Sequence, residues 1–315
     1  MKTRQGGRDM TRNVHGANDE PGSDGAMDQM SAEDISAAAV ESFKGCSSMR
    51  LRELMQSLIS HLHAFVIETE LTPEEWLAGI EFLTATGKKC TENRQEFILL
   101  SDTLGVSMVL DAVNHRLGPL ATESTVLGPF YVPDSPIREL GESISLIEGN
   151  GEPAIVSGTV RNEAGEPIGG AILDVWQNSV RGTYAVQDPS ERQDNLRGRF
   201  RTGKDGRFWF WSVRPTDYAI PDDGPVGDML RATNRHPWRP AHLHLIASAP
   251  GYETLVTHLF DDESAYLDSD AVFGVKHSLI CHFERHAPAE QGGPKGAVTD
   301  WYSLERDIVL SEVMK

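Results

Sequence analysis

Cysteine is scarce: Cys46, Cys90 and Cys281 are the only three in 315 residues. They are odd in number, far apart and form no Cys-x-x-Cys, so neither a disulfide framework nor a thiolate zinc site is expected. Positive charge is also in short supply. Lys and Arg total 29 against 47 Asp and Glu, a formal net charge of −18. Without a basic patch, nucleic acid and anionic membrane surfaces are excluded as expected partners. Long apolar runs are missing, so no segment is expected to span a bilayer. Residues 1–30 are rich in Gly, Asp and Asn and lack the apolar centre of a signal peptide. They are expected to form a disordered tail, and the whole chain to be a cytoplasmic protein of a reducing compartment.

What is present first is helix. Ser31 can cap a helix running to Phe43 and ending near Gly45. Leu51, Leu54, Met55, Leu58, Ile59, Leu62, Phe65 and Val66 recur at three- and four-residue steps, the pattern of an amphipathic helix. Thr72-Pro73-Glu74-Glu75 places Thr at an N-cap, Pro at the first helical position and Glu two residues further. A further helical pair, 95–104 and 106–113, is expected to break at Gly105. The segment 31–117 is therefore read as a helical domain. Its apolar stripes exceed what so short a bundle can bury, which points to a partner subunit.

At Gly118-Pro119 the composition changes. Short β-forming stretches at 154–161, 171–176, 199–202, 207–213, 242–247, 255–260, 277–283 and 300–309, separated by Gly- and Pro-rich turns, predict a β-sandwich over 118–315. Lys204-Asp205-Gly206 reads as a hairpin turn. The stretches 187–196 and 215–239 read as long loops, which in a compact domain are usually functional or disordered. The fold class is thus α+β: an N-terminal helical domain followed by a β-sandwich with long loops.

The chemistry centres on His242-Leu243-His244. In a strand, residues two apart project to one face, so the two imidazoles can share a metal ion. His61-Leu62-His63 has the same spacing inside a helical pattern, where the rings diverge by about 200°. Asp222, Asp223, Asp228, Asp261 and Asp262 lie close enough in sequence to supply a carboxylate. On these grounds a two-histidine-one-carboxylate iron site, a zinc hydrolase and a non-catalytic β-sandwich binding module all remain open. Tyr184 and Tyr218, two of only six tyrosines, follow strand ends in loops.

Several segments together carry a resemblance. They are Leu127-Gly128-Pro129-Phe130-Tyr131, Asp174-Val175-Trp176-Gln177-Asn178, Gly182-Thr183-Tyr184, Asn195-Leu196-Arg197-Gly198, Arg239-Pro240-Ala241-His242-Leu243-His244 and Ala249-Pro250-Gly251-Tyr252. In this order they resemble the intradiol ring-cleaving dioxygenases of the catechol 1,2-dioxygenase type, over roughly residues 30–310. His236-Pro237-Trp238 and the stretch from Asp268 to Lys276 are most similar to the hydroxyquinol-cleaving branch.

The resemblance implies Fe(III) held by Tyr184, Tyr218, His242 and His244, with Tyr218 also acting as a base and Arg239 stabilising negative charge on the substrate. It implies pocket walls from Leu99, Asp102, Val126, Leu127, Gly128, Pro129, Ile220, Pro221 and Val272. It implies cleavage of an aromatic 1,2-diol by O2: hydroxyquinol to 3-hydroxy-cis,cis-muconate (maleylacetate) or, alternatively, catechol or a chlorocatechol to the corresponding muconate. It also implies a homodimer through the helical domain, and the surplus apolar stripe of that domain leads to the expectation of an apolar ligand such as a lipid between the subunits. Phenolates are hard anionic donors, which suits a trivalent ion. The chain departs from some relatives at His258, where they carry Gln.

Overall fold

The computed structural model describes residues 30–313 except 93, 116–117, 148–150, 289 and 295–297. Apart from Met30, the expected tail lies outside the described residues. The helices are α1 (Ala32–Glu41), α2 (Met49–Glu68), α3 (Pro73–Lys89), α4 (Glu96–Thr103) and α5 (Val106–Asn114). The strands follow: β1 (Ile137–Arg138), β2 (Pro153–Asn162), β3 (Ile172–Trp176), β4 (Arg197–Arg201), β5 (Arg207–Val213) and β6 (Tyr218–Ala219). Helix α6 (Pro225–Ala232) precedes β7 (Trp238–Arg239), β8 (His242–Ser248), β9 (Leu255–Asp261), β10 (Ile280–Cys281), β11 (Glu284–His286), β12 (Trp301–Glu305) and β13 (Ile308–Leu310).

Local sequence explains the helix starts. Ser31 accepts from the Asp34 backbone N–H while the Asp34 carboxylate accepts from Ser31, a reciprocal cap. Thr72 and Glu75 form the same pair, with Glu75 N to Thr72 Oγ1 at 3.2 Å and Thr72 N to Glu75 Oε2 at 2.9 Å. The chain divides into two compact units, one ending at Ala78 and one beginning at Gly79. In the first, α1 packs on α2, and His63 Nδ1 lies 2.9 Å from Ser36 Oγ. Helices α4 and α5 belong to the second unit, with the strands.

Two sheets make the sandwich. One runs β1-β4-β3-β8-β9-β10; the other runs β11-β12-β2-β13, with β5 also pairing with β2. Between them lies a core of Val156, Val160, Leu173, Val175, Phe200, Phe208, Phe210, Leu243, Leu245, Leu259 and their neighbours, almost wholly out of solvent. Strand alternation then decides the site. Along β8, Leu243, Leu245 and Ala247 enter that core, so His242 and His244 must point to the other face of the first sheet. A second apolar cluster covers that face: Leu99 and Leu100 of α4, Trp176, Tyr184, Tyr218, Ile220, Val226, Leu230, Ala271 and Val272.

Some expectations are corrected. The stretch read as a loop at 215–239 contains α6 and the short β6–β7 ribbon. Lys204-Asp205-Gly206 does turn the chain, with Gly206 N bonded to Gly203 O at 2.9 Å. However, β4 and β5 then enter different sheets, so the turn is a corner and not a hairpin. The expected strand 277–283 is a 3-10 turn, His277–Leu279, followed by β10. The expected strand 300–309 breaks into β12 and β13, because Arg306 N turns inward to Ser157 O and the Asp307 carboxylate accepts from Thr159 N.

Candidate metal centre and active site

The two β8 imidazoles converge. His242 Nε2 and His244 Nε2 are 3.2 Å apart, close to the spacing of two nitrogens each about 2.1 Å from one ion. Both rings are buried. The Pro240 carbonyl lies 2.7 Å from His242 Nδ1 and can only accept. His242 therefore carries its proton on Nδ1 and turns a bare Nε2 toward the centre. Burial, first, and the neighbouring Arg239 and histidines hold His242, His244 and His258 well below the ordinary histidine range, so all are neutral at pH 7.

Tertiary structure brings both tyrosines to the same place. The Tyr184 hydroxyl lies 2.8 Å from His244 Nε2. The loop that delivers it turns at Gly182, where φ is +76° and an added Cβ would come within 3.3 Å of Tyr218 Cβ, so a larger residue would be strained there. Tyr218 lies opposite Arg239 in the β6–β7 ribbon, and the Arg239 guanidinium donates to its hydroxyl at 3.3 Å. Asn178 Nδ2 donates to Thr216 O at 3.0 Å, tying together the two loops that carry the phenols. Burial pushes the Tyr184 phenol well above the ordinary tyrosine range, with Tyr218 adding to the effect. Such a phenol ionises only if a strong positive charge is supplied beside it. A donor set of two imidazoles and two phenols, buried around one point, fits a hard trivalent cation.

Packing holds the rings in place. Trp176 stacks on His244 with centroids 4.6 Å apart and planes at 12°, and Phe130 stacks on Tyr184 at 4.6 Å. Gly128 has φ +78°, and a Cβ there would lie 3.2 Å from His244 Cε1, so only glycine lets this loop approach the imidazole. Arg239 is buried and paired with Asp270, whose carboxylate accepts from Arg239 Nε at 3.0 Å and Nη2 at 3.3 Å. Burial opposes the guanidinium charge, but Asp270 and Tyr218 outweigh it and hold Arg239 above its ordinary range.

The expected wall residues fall into two groups. Leu99, Ile220 and Val272 are in the cluster with Tyr184 and Tyr218. Asp102, Val126, Leu127 and Gly128 line a cavity of about 550 Å³ with Thr125 and Val256. Leu127 and Pro129 are exposed, and Pro221 is half-buried beside Ile220. Burial raises the Asp102 carboxyl above the usual carboxylate range, with Ser107 and Arg239 opposing. The carboxylates considered as a third ligand are engaged elsewhere. Asp223 pairs with Arg94 and Lys89, Asp261 with Arg214, Asp222 and Asp228 with Arg231, and Asp262 with His282. The sequence reading missed Asp270, Thr125, Trp176 and Phe130 as parts of the site. Their partners lie 31 to 133 residues away for Asp270 and Thr125, a separation that no local pattern reports.

Comparisons with known proteins identify the family. Residues 48–121 match the catechol dioxygenase N-terminal family and residues 126–310 the dioxygenase family. The chain belongs to the intradiol ring-cleavage dioxygenase family. A hydroxyquinol 1,2-dioxygenase of Rhizobium sp. is 49% identical over 90% of this chain and 96% of its own. A 6-chlorohydroxyquinol 1,2-dioxygenase of Cupriavidus pinatubonensis is 43% identical over 91% of this chain and 100% of its own. The crystal structure of a hydroxyquinol 1,2-dioxygenase from Pseudomonas putida superposes with a TM-score of 0.84 at 50% identity, covering 90% of this chain and 99% of that one. No helix among the described residues is long and apolar enough to cross a membrane.

Proposed function

We propose that this protein is a ferric intradiol dioxygenase that cleaves hydroxyquinol with O2 to 3-hydroxy-cis,cis-muconate. The observation that carries the reading is the convergence of His242, His244, Tyr184 and Tyr218 on one buried point beside Arg239. These four side chains would hold iron. When bound, ferric iron would keep the phenols ionised and draw electron density from a chelated diol. The Tyr218 oxygen, within reach of Arg239, is placed to take a proton from a substrate hydroxyl. Arg239, held by Asp270, presents fixed positive charge to a ring that becomes anionic as its hydroxyls ionise. Leu99, Ile220 and Val272 supply apolar surface for the ring. Unpaired Cys46, Cys90 and Cys281 support a cytoplasmic setting.

The similar proteins act on hydroxyquinol and 6-chlorohydroxyquinol, and Asp102 supplies a reason why this chain would do the same. An apolar pocket discriminates poorly against one extra hydroxyl, whereas a buried polar group placed to bond it is left unpaired by catechol. Asp102 is buried and lines the cavity with Val126 and Gly128. The expected kcat/KM for hydroxyquinol exceeds that for catechol by at least about tenfold, roughly 1.4 kcal/mol in the transition state. Asp102→Ala narrows the ratio, mainly by slowing hydroxyquinol. A diol panel with product identification checks both statements, and a wild-type preference for catechol or a chlorocatechol would overturn the substrate assignment.

We also propose a homodimer through the helical segment 31–117, with an apolar ligand such as a lipid lodged at the contact. Helices α1 and α2 bury no residue at all, and Leu51, Leu54, Leu58, Leu62, Phe65 and Val66 are each 44–53% exposed. So long an apolar face is rare on a monomer. Light scattering at micromolar concentration is expected to give twice the chain mass; a monomer there counts against the assignment.

A further inference from the structure

We infer that His258 is a positioning residue for the metal ligand His244, and that the Thr125 hydroxyl sets the tautomer of both imidazoles. The inference rests on the metal centre proposed above. Strand register puts His244 directly opposite His258 across β8 and β9. His258 Nε2 lies 2.7 Å from His244 Nδ1, and Thr125 Oγ1 lies 2.8 Å from His258 Nδ1. All three side chains are buried. His258 is therefore not a third ligand, although it lies close enough to the other two histidines to be grouped with them. Its inward nitrogen is already occupied by His244.

Proton counting gives the chain a direction. A neutral imidazole carries one N–H. To bind a metal, His244 must keep the lone pair on Nε2, so its proton is on Nδ1 and is donated to His258 Nε2. His258 then carries its own proton on Nδ1 and donates it to Thr125 Oγ1. The Tyr184 hydroxyl, 2.8 Å from His244 Nε2, donates to that same bare nitrogen and favours the same arrangement. The opposite direction, with Thr125 donating, ends with a proton on His244 Nε2 and closes that nitrogen to a metal.

The two ligands are thus controlled differently. The Pro240 carbonyl fixes His242, because it can only accept. His244 depends on a side-chain relay whose last member precedes the wall residues Val126, Leu127 and Gly128. Thr125 is itself tied to β9 through its backbone N–H, bonded to Val256 O at 2.9 Å. The same loop touches His244 again at Gly128. Placement of the pocket wall and the aim of one ligand are therefore coupled through two residues.

Thr125→Val keeps nearly the same shape and removes the hydroxyl, and with it the acceptor for His258 Nδ1–H. The buried Nδ1–H of His258 is then unpaired, which favours the tautomer that protonates His244 at Nε2. The full-length protein is expected to release iron to a chelator about 10- to 100-fold faster after Thr125→Val or His258→Leu, the range typical of lost outer-sphere bonds. His258→Gln, whose Oε1 accepts from His244 and whose amide donates to Thr125, is expected to stay within about threefold of wild type. Nitrogen-15 NMR of the metal-free protein reads the tautomer directly: Nδ1–H on His244 in the wild type and in His258→Gln, Nε2–H in Thr125→Val. If Thr125→Val and His258→Leu hold iron as the wild type does, or if the His244 tautomer is unchanged in Thr125→Val, the inference is wrong. Wild-type protein that binds no iron would instead overturn the proposed function, and the NMR result would still judge the relay.

Discussion

Tyr184→Phe is expected to leave a folded protein that has lost its iron, its visible colour and its activity. The wild type should carry about one iron per chain and a broad visible band from phenolate-to-iron charge transfer, which shifts when a catechol binds. The substitution removes one oxygen and nothing else. The ring keeps its stack on Phe130 at 4.6 Å and its edge contact with Tyr218 at 5.4 Å, so the fold has little reason to change. What disappears is one anionic donor and the group facing His244 Nε2. Loss of an outer-sphere partner typically costs 10- to 100-fold in metal affinity or activity, and a direct ligand is expected to cost more than about a hundredfold. His242→Ala should behave alike, because Pro240 aims that imidazole at the centre and, among the described residues, no carboxylate joins the buried histidine group. Metal analysis, the visible spectrum and turnover check this together. Stoichiometric zinc in a colourless wild type, or iron retained by Tyr184→Phe, would show that the donor set has been misassigned.

Asp270→Ala is expected to destabilise the fold by about 3–5 kcal/mol, the usual consequence of stranding a buried charge. Arg239 and Asp270 are 3% and 6% exposed, so water cannot replace the missing carboxylate. Besides its two bonds to Arg239, Asp270 accepts from the backbone of Val272 at 3.2 Å and of Gly274 at 2.9 Å. One carboxylate thus holds the charged group that reaches Tyr218 and the backbone turn that carries Val272, the proposed wall residue. Activity should fall with stability, since Arg239 loses its orientation toward Tyr218. Replacing the pair by apolar residues, Arg239→Met with Asp270→Leu, is expected to recover only part of the stability, because the Val272 and Gly274 N–H groups stay unpaired, and none of the activity. Urea unfolding with kcat/KM on all variants decides it, and a cost below about 1 kcal/mol for Asp270→Ala would mean that Arg239 is not held as described.

Local pattern alone determined a good part of this molecule. The capping boxes at Ser31 and Thr72 and the break at Gly105 follow from side chains within four residues of one another. The period of two in His242-Leu243-His244, continued by Leu245 and Ala247, was enough to put both imidazoles on the face away from the core. The same arithmetic kept His61 and His63 apart on α2. Helix α6 also carries a local start signal, Pro225 at its first position.

Tertiary structure alone decided which residues meet. Tyr184 and Tyr218 are 34 positions apart by number, and only the loop tied through Asn178 and the β6–β7 ribbon bring them to His244 and Arg239. On the residues themselves they were two tyrosines in loops; the family resemblance suggested their role, and the fold supplied the place. The pairings of Asp270 with Arg239 and of Thr125 with His258 depend on strand register and loop paths across 31 and 133 residues. Sequence periodicity fixes the face a side chain takes, because that depends on backbone geometry over a few residues. It carries no information on which strand lies alongside, because that is settled by the packing of the whole sandwich.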